Sequence, residues 1–496
     1  MLYVTDAHKF IRTFISHSVE DNVEATYYKN LLTKKGFTVF QYEHDLEFGR
    51  PISGIIERQI RDCHFFLFIV SDYSQESKWV QKELGLAIRI QRKNKGYRPI
   101  IIPIYAKAAV WRKNHNRPKQ FPTCDFYKGT KRKGFDLGVR GIDKYENPDV
   151  DTDNELISLM SPSLLVSRYK HDKESTIDHE VTFEETGVFK LYRDMFPIES
   201  ERDSPNDIIR WVLRSDLGKP KSMLLPDGTA LEYTLDSRYF IMQLAGRAIG
   251  LAFFTYDYKN NLMYGNYIAV HGDWREGHLA KPFVDKIMDI LGELFPKFEG
   301  VVFEVEKIDR EKVEYIISYL KDSPELISYL KGSLKLSYLK ESPDKLFHSP
   351  DDLREIKKVK RVLWYQRLGC QFFIDINDNK PLTSRSPCLS PGNTDWPTQE
   401  EEWWVMWYNR PGQQPDWMRV GDLWERSIRC MYIEILAKSL VESVPAKSQK
   451  YWAYANGVVE EVLHQSDKAN ISFGPSLHSH DPLTRKWEEL GIKIKI

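Results

Sequence analysis

The sequence predicts an α/β protein: an N-terminal doubly wound parallel sheet, then a mixed-sheet α+β domain and a mainly helical C-terminal region. Three observations lead there. From Ile11 to Tyr105, short apolar runs of strand length alternate with segments of helical period, the pattern of βα units with parallel strands. Further on, strands follow one another directly, as in Tyr239–Leu244 and Ala248–Tyr256, which meet near Gly246. Beyond Pro411 the apolar spacing is helical, most clearly in Leu423–Val441 and Lys450–His464.

In order, Ile11–Ser16 is an apolar strand, and Glu20–Lys35 carries Ala25, Tyr28, Leu31 and Leu32 at helical spacing until Gly36 ends it. Thr38–Gln41, Ile52–Arg61, Phe65–Val70, Ser77–Arg92 and Pro99–Tyr105 continue the alternation. The loops after Gln41 and Val70 should therefore open on one edge of the sheet, where parallel sheets bind ligands. The second of these loops ends in SKWVQKEL, where Ser77 can cap a helix on which Trp79 and Glu83, four apart, share a face. Glu83 would then project near the strand ends.

The segment Lys107–Arg140 is basic with few periodic apolar residues, either a long loop or an insertion before the last strand. Polar, acidic composition from Tyr145 to Glu180 marks a boundary, within which Leu156–Val166 is expected to close the first domain as a helix. A possible strand near Val181 opens the next pattern. Helices Phe189–Phe196 and Asp207–Leu213 follow, then strand Tyr264–Val270, helix Lys281–Phe295 and strand Val301–Val305. Ser-Tyr-Leu-Lys recurs at Ser318, Ser328 and Ser337, too closely for a solenoid, which suggests local duplication inside a surface insertion. Leu353–Leu368 is a basic amphipathic helix capped by Gly369. Strands Cys370–Ile376 and Trp403–Tyr408 bracket a Pro/Ser-rich loop, and Ile492–Ile496 is a short strand-like tail. The expected division is 1–150, a linker 151–180, a domain 181–410 with an insertion near 312–352, and a helical region 411–496.

Lys plus Arg and Asp plus Glu balance at 71 each, so no global charge excess points to nucleic acid or an anionic membrane. The five cysteines, Cys63, Cys124, Cys370, Cys388 and Cys430, lie far apart without a C-x-x-C, which argues against a zinc site or disulfide framework and fits a reducing compartment. No metal is expected. The N-terminus lacks a signal-peptide pattern, and no stretch approaches the roughly 20 apolar residues of a membrane helix. A cytoplasmic, soluble protein is expected.

The first-strand box FISHS, the loop YEHDLEFGRPI after the second strand and the W-x-x-x-E helix holding Glu83 occur in the order and spacing of the Toll/interleukin-1 receptor (TIR) domain family. Over roughly the first 150 residues the chain resembles that family, which implies a flavodoxin-like sheet. Some TIR domains only bind other TIR domains; others cleave NAD+ and need the Glu of that helix, here Glu83. The resemblance implies that Phe14, Ser16, His17 and the loop after the second strand line the dinucleotide pocket. Arg50 would either meet a phosphate or lie at the surface, and Ser53, or the helix N-terminus beside it, would do likewise. Trp79 would shape the pocket by packing.

Further on, Arg275-Glu276-Gly277-His278-Leu279-Ala280 is similar to the R-x-x-G-x-(G/A) loop with which GNAT acyltransferases hold the diphosphate of acetyl-CoA on backbone amides. Tyr365-Gln366-Arg367-Leu368-Gly369-Cys370 is similar to their Y-x-x-x-G-F helix end, whose Tyr often protonates the leaving thiolate. Arg275 and Ala280 fit the pattern, and Gly277 belongs to the same candidate loop. His278 replaces a glycine that lets backbone approach phosphate, and Glu276 adds a like charge, so weak or absent acetyl-CoA binding is expected. Tyr365 is either that acid or a core residue. Together the resemblances imply an NAD+-cleaving TIR effector, of the kind found in bacterial anti-phage defence. It would be activated by TIR self-association, with the GNAT-like part as sensor or scaffold. The alternatives are an N-acyltransferase whose TIR domain recruits partners, and an interaction protein with both sites inert.

Overall fold

In this computed structural model the described residues are 2–3, 5–42, 52–94, 98–105, 142–143, 152–167, 179–197, 203–215, 218–224, 228, 230–275, 279–320, 350–378, 380–387, 400–412, 419–437, 448–465 and 468–474. The first two residues that form structure, β1 (Leu2–Tyr3), belong to the second sheet. Then the first sheet is built from β2 (Arg12–Ser16), α1 (Asn22–Lys34), β3 (Thr38–Gln41), α2 (Ile52–Asp62), β4 (Phe65–Val70), α3 (Asp72–Glu76), α4 (Lys78–Lys93), β5 (Ile100–Tyr105) and β6 (Ile142–Asp143). Its strand order is β3-β2-β4-β5-β6, all parallel, as the alternation required. Every residue of β4 is buried, because a central parallel strand is covered by helices on both faces. Gly36, at φ +90°, adopts the left-handed conformation that turns the chain from α1 into β3.

The chain continues through α5 (Thr152–Met160), β7 (Ser163–Val166), α6 (His179–Thr186), α7 (Val188–Met195) and α8 (Pro205–Arg214). The hairpin β8 (Lys221–Leu224) and β9 (Ala230–Tyr233) stands apart as a two-stranded sheet. Next come β10 (Leu235–Leu244), β11 (Arg247–Asp257), β12 (Leu262–Val270), α9 (Gly272–Arg275), α10 (Ala280–Leu294), β13 (Gly300–Glu306), α11 (Arg310–Leu320) and α12 (Pro350–Leu368). The last elements are β14 (Gln371–Asp375), β15 (Lys380–Pro381), β16 (Thr383–Pro387), β17 (Glu400–Asn409), α13 (Val420–Arg429), a π-helical run Cys430–Ala437, α14 (Ser448–His464) and β18 (Ile471–Gly474). The large sheet runs β1-β7-β10-β11-β12-β13-β17-β14-β15, with β16 on β17 and β18 on β14. Its one parallel pair among the described strands is β12 with β13, matched only at Met263–Val301 and Tyr264–Val302 before the two strands part.

Several expectations need correction. The segment 151–180, expected as a linker, supplies α5 and a strand of the large sheet, β7 pairing with β10 from Phe240–Val166 to Gln243–Ser163. The helix expected over Leu156–Val166 stops at Met160, because Pro162 cannot continue it and the Ser161 hydroxyl takes the Ile157 carbonyl. The strand expected near Val181 is helix α6, held by Phe183 packing on Phe189 and Tyr239, so tertiary contact overrides local propensity. The helical C-terminal region also contributes β18, and its first helix runs on in π geometry rather than α. The segment Lys107–Arg140, the repeats at Ser328 and Ser337 and the tail Ile492–Ile496 lie outside the described residues. Among the described residues no helix is long and apolar enough to cross a membrane, and no group of three or more His, Cys, Asp or Glu could hold a metal.

One buried apolar cluster runs through both sheets, from Ile15, Phe65 and Ile102 of the first to Phe240, Phe254 and Phe303 of the second. Trp274, fully buried in α9, is part of the bridge: its ring stacks on His64 at 4.9 Å and meets the edge of Phe65 at 6.4 Å. His64 is fixed in turn, its Nδ1 accepting from the Arg12 backbone N–H at 3.0 Å. His8 Nε2, beside Ser161 Oγ at 2.8 Å, and the β1–β7 pair tie the N-terminus to the large sheet as well. Trp274→Ala is therefore expected to cost about 3–5 kcal/mol, the usual penalty for emptying a large aromatic site. Urea unfolding followed by probes in both parts checks this. A shared core requires both probes to move to lower denaturant together, and loss confined to one part would contradict it.

Candidate active site

The parallel connectivity gathers the ends of β2, β3 and β4 and the starts of the following helices on one edge. There, α3 begins in a reciprocal cap, the Ser71 and Ser74 side chains each bonding the other's backbone N–H. Ser77 caps α4, accepting from the Val80 N–H at 3.4 Å. The buried stripe of α4 is Val80, Leu84, Ala87 and Ile88, with Glu83 inside it. Glu83 is 4% exposed, a burial that a carboxylate tolerates only with partners.

Its partner is Ser16, the last residue of β2, whose Oγ donates to Glu83 Oε2 at 2.6 Å. Oε1, equally buried, has no hydrogen-bond partner among the described residues. Burial pushes the Glu83 carboxyl up to about 7. The Ser16 hydroxyl draws it back, as does the Trp79 indole, although its Nε1 makes no hydrogen bond of normal geometry. Trp79 is half-buried, its ring tilted against Tyr42 at 5.7 Å and covered by the Lys82 ammonium at 5.7 Å.

The other expected pocket residues divide. Ser16 and Trp79 meet Glu83. His17 sits beside them, but Nδ1 faces the Ser18 carbonyl at 2.7 Å and Nε2 the Gln41 amide at 3.3 Å. Phe14 is fully buried, stacked between Phe40 and Phe66 with both centroids at 5.5 Å. It shares a face of β2 with Ser16 but lies two residues further from the open edge, beneath α2 and α4. Ser53 lies in the first turn of α2. Arg50 lies outside the described residues.

The sequence alone missed what braces this edge. Asp21 Oδ2 accepts from Ser18 and Ser71, both at 2.5 Å, tying the loop after β2 to the loop after β4. Gln41 donates to Asn22 Oδ1 at 2.9 Å, tying β3 to the start of α1. The sequence signal was that Gln41 ends β3, Ser71 directly follows β4, and Ser18, Asp21 and Asn22 lie in the stretch between β2 and the body of α1.

In the large sheet, Arg275 ends α9 and Ala280 opens α10, buried, while Gly277 and His278 lie outside the described residues. Tyr365 is 7% exposed, 4.9 Å from the Phe303 ring, and burial raises its phenol pKa. Phe303 lies where β12 and β13 part: a β-carbon placed on Gly265 would be 2.1 Å from its ring. An apolar ring thus sits at the one place where the strands open, and Tyr365 packs as a core residue beside it.

The comparisons accord with the geometry of the first sheet. A family model described as "TIR domain" matches residues 13–138. Residues 13–138 form a TIR domain. Similar solved structures include the TIR domains of the activated Roq1 resistosome directly recognising the pathogen effector XopQ. They are 25% identical at a TM-score of 0.18, over 19% of this chain and 57% of that one. The chain therefore spans little more than half the length of that structure. Nourseothricin acetyltransferase is 13% identical, TM-score 0.19, over 42% of this chain and 96% of that one. A metazoan TIR-STING receptor from C. gigas in complex with 2′,3′-cGAMP is 13% identical, TM-score 0.21, over 59% of this chain and 88% of that one. At such TM-scores none of the three bears on function. No curated protein matches the chain.

The raised Glu83 pKa has a consequence for stability that does not depend on substrate. Between the unfolded value near 4.5 and the folded value of about 7, the folded state keeps a proton the unfolded state has lost. Stability contributed by this group is therefore present at low pH and lost as pH rises through that window. Glu83→Gln removes the dependence. From about pH 4 to about pH 8 the difference between wild type and variant should move against the wild type by about 3 kcal/mol. Denaturation midpoints at several pH values test this; a difference independent of pH would mean that Glu83 is not held protonated by burial.

Proposed function

We propose that the TIR domain cleaves NAD+ at the bond between nicotinamide and ribose, with Glu83 as the catalytic carboxylate. The observation that carries this reading is a nearly buried carboxylate on the ligand-binding edge of a parallel sheet, one oxygen held by Ser16 and the other without a protein donor. Nicotinamide linked to ribose is already a cationic leaving group, so it departs without a general acid. What requires help is the positive charge that develops on the ribose. A fixed carboxylate in surroundings of low dielectric supplies that help. A glycosidase acting on a neutral leaving group needs two carboxylates; this reaction needs one.

Water then captures the ribosyl cation to give ADP-ribose, or an internal nucleophile gives a cyclic isomer, after the same first step. Trp79, packed against Tyr42, lies beside the carboxyl group. The biological setting we infer is NAD depletion in prokaryotic anti-phage defence, with the GNAT-like part as sensor or scaffold. Acyl transfer is disfavoured by the Phe303 ring over Gly265 and by the packing of Tyr365.

Incubating the purified chain with NAD+ and following nicotinamide tests the reading. Wild type should release it and Glu83→Gln should lose at least two orders of magnitude, the scale on which preorganised electrostatic groups act. Wild-type turnover in the variant would rule out this site. Titration with acetyl-CoA in parallel should give no tight binding, and tight binding would restore the acyltransferase alternative.

Activation by self-association is the second part of the reading. Val19, in the 3-10 turn before α1, and Val23, in the first turn of α1, are 74% and 85% exposed, and Tyr73 on α3 is 53% exposed. Apolar side chains so open beside the candidate site suit a contact between copies. Specific activity per chain should rise with protein concentration across a dilution series; a flat line across the range would contradict assembly gating.

A further inference from the structure

We infer that Ser16 is a positioning residue for Glu83: its hydroxyl holds Oε2 and so fixes the plane of the carboxyl group at the end of β2. The role in catalysis rests on the NAD-cleavage reading, while the physical tie between the two side chains does not.

The geometry limits Ser16 to this task. A serine hydroxyl has one proton, and here it is given to Glu83 Oε2 at 2.6 Å, a short bond to a carboxyl group. Ser16 is 1% exposed, and its backbone is fixed in the register Ser16–Phe68 at the end of β2. The hydroxyl therefore approaches Glu83 from a rigid strand, while α4 carries the carboxyl on its buried stripe. With that proton committed to Glu83, Ser16 has none left to donate to a substrate.

The surroundings leave few competing influences. Burial disfavours the carboxylate, and the Ser16 hydroxyl is the largest influence that favours it, ahead of the nearby Trp79 indole. His17, next along the chain, turns to Ser18 and Gln41 instead. Lys82, beside Glu83 on α4, lies over the Trp79 ring. Losing the Ser16 hydroxyl thus leaves a buried carboxylate without its main donor. Two effects should follow: a carboxyl that ionises at higher pH, and a carboxyl plane free to turn.

The test titrates Glu83 directly in the full chain. The carboxyl carbon of 13C-labelled glutamate is followed by NMR and assigned by its disappearance in Glu83→Gln. Ser16→Ala should raise the midpoint by about one pH unit, the worth of one hydrogen bond to a charged group, and Ser16→Thr should restore it. Nicotinamide release should shift its pH dependence by the same amount, with kcat falling more than KM rises. Should the alanine variant lose its fold, Ser16→Cys, close in size and a weak donor, should shift the midpoint in the same direction by less. An unchanged midpoint in a folded variant without the hydroxyl overturns the inference. A midpoint that moves in a chain releasing no nicotinamide upholds the Ser16 assignment and counts against the NAD reading alone.

Discussion

The hydrogen bond from Ser16 to Glu83 joins the end of the second strand to the fourth helix across the open edge of the first sheet. Everything else at that edge serves to hold its two ends. Parallel connectivity brings β2, β3 and β4 to the same side, the Ser77 cap sets where α4 starts, and Asp21 locks the loops after β2 and β4 to each other. A carboxyl group is costly to bury, and here the burial is only partly compensated, with one oxygen bonded to Ser16 and the other without a hydrogen bond of normal geometry. Such under-compensation is a strain a fold keeps at a working site rather than in its core.

How much of this was legible in the sequence depends on the range of the interaction. FFLFIV, the continuous apolar run of β4, showed a strand covered on both faces, and the stripe Val80-Leu84-Ala87 after Ser77 showed the helix and its start. Glu83 stood out by lying four residues after Trp79 on that Ser77-capped helix. Depth along a strand was not legible: Phe14 and Ser16 share a face, yet only Ser16 reaches the edge, because α2 and α4 cover the strand up to its last residue. Contacts between distant segments were equally hidden. Nothing local in Leu2–Tyr3 or Ser163–Val166 tells that they pair, or that Trp274 will lie on His64. Pro162 did announce the end of α5, a signal that a reading based on apolar spacing alone passes over.

The shared core changes how the second part of the chain is understood. A TIR domain on a flexible linker would respond to its neighbour only through concentration. Here β1 is a strand of the large sheet, and α9, immediately before the loop that resembles a coenzyme-binding motif, inserts Trp274 beneath β4. A displacement of α9 would press on the start of the strand whose other end abuts Ser71 and the site. The two parts are thus joined through packed side chains rather than through a tether.

The central claim is that a carboxylate held at the sheet edge must be charged for the ribosyl bond to break. The measurement that tests it most directly is kcat/KM for nicotinamide release by the unmodified chain as a function of pH. The account predicts a limb of unit slope that rises with pH and turns over at about 7, where Glu83 loses its proton. A profile that is flat through that region, or one that falls as pH rises through it, would contradict the account.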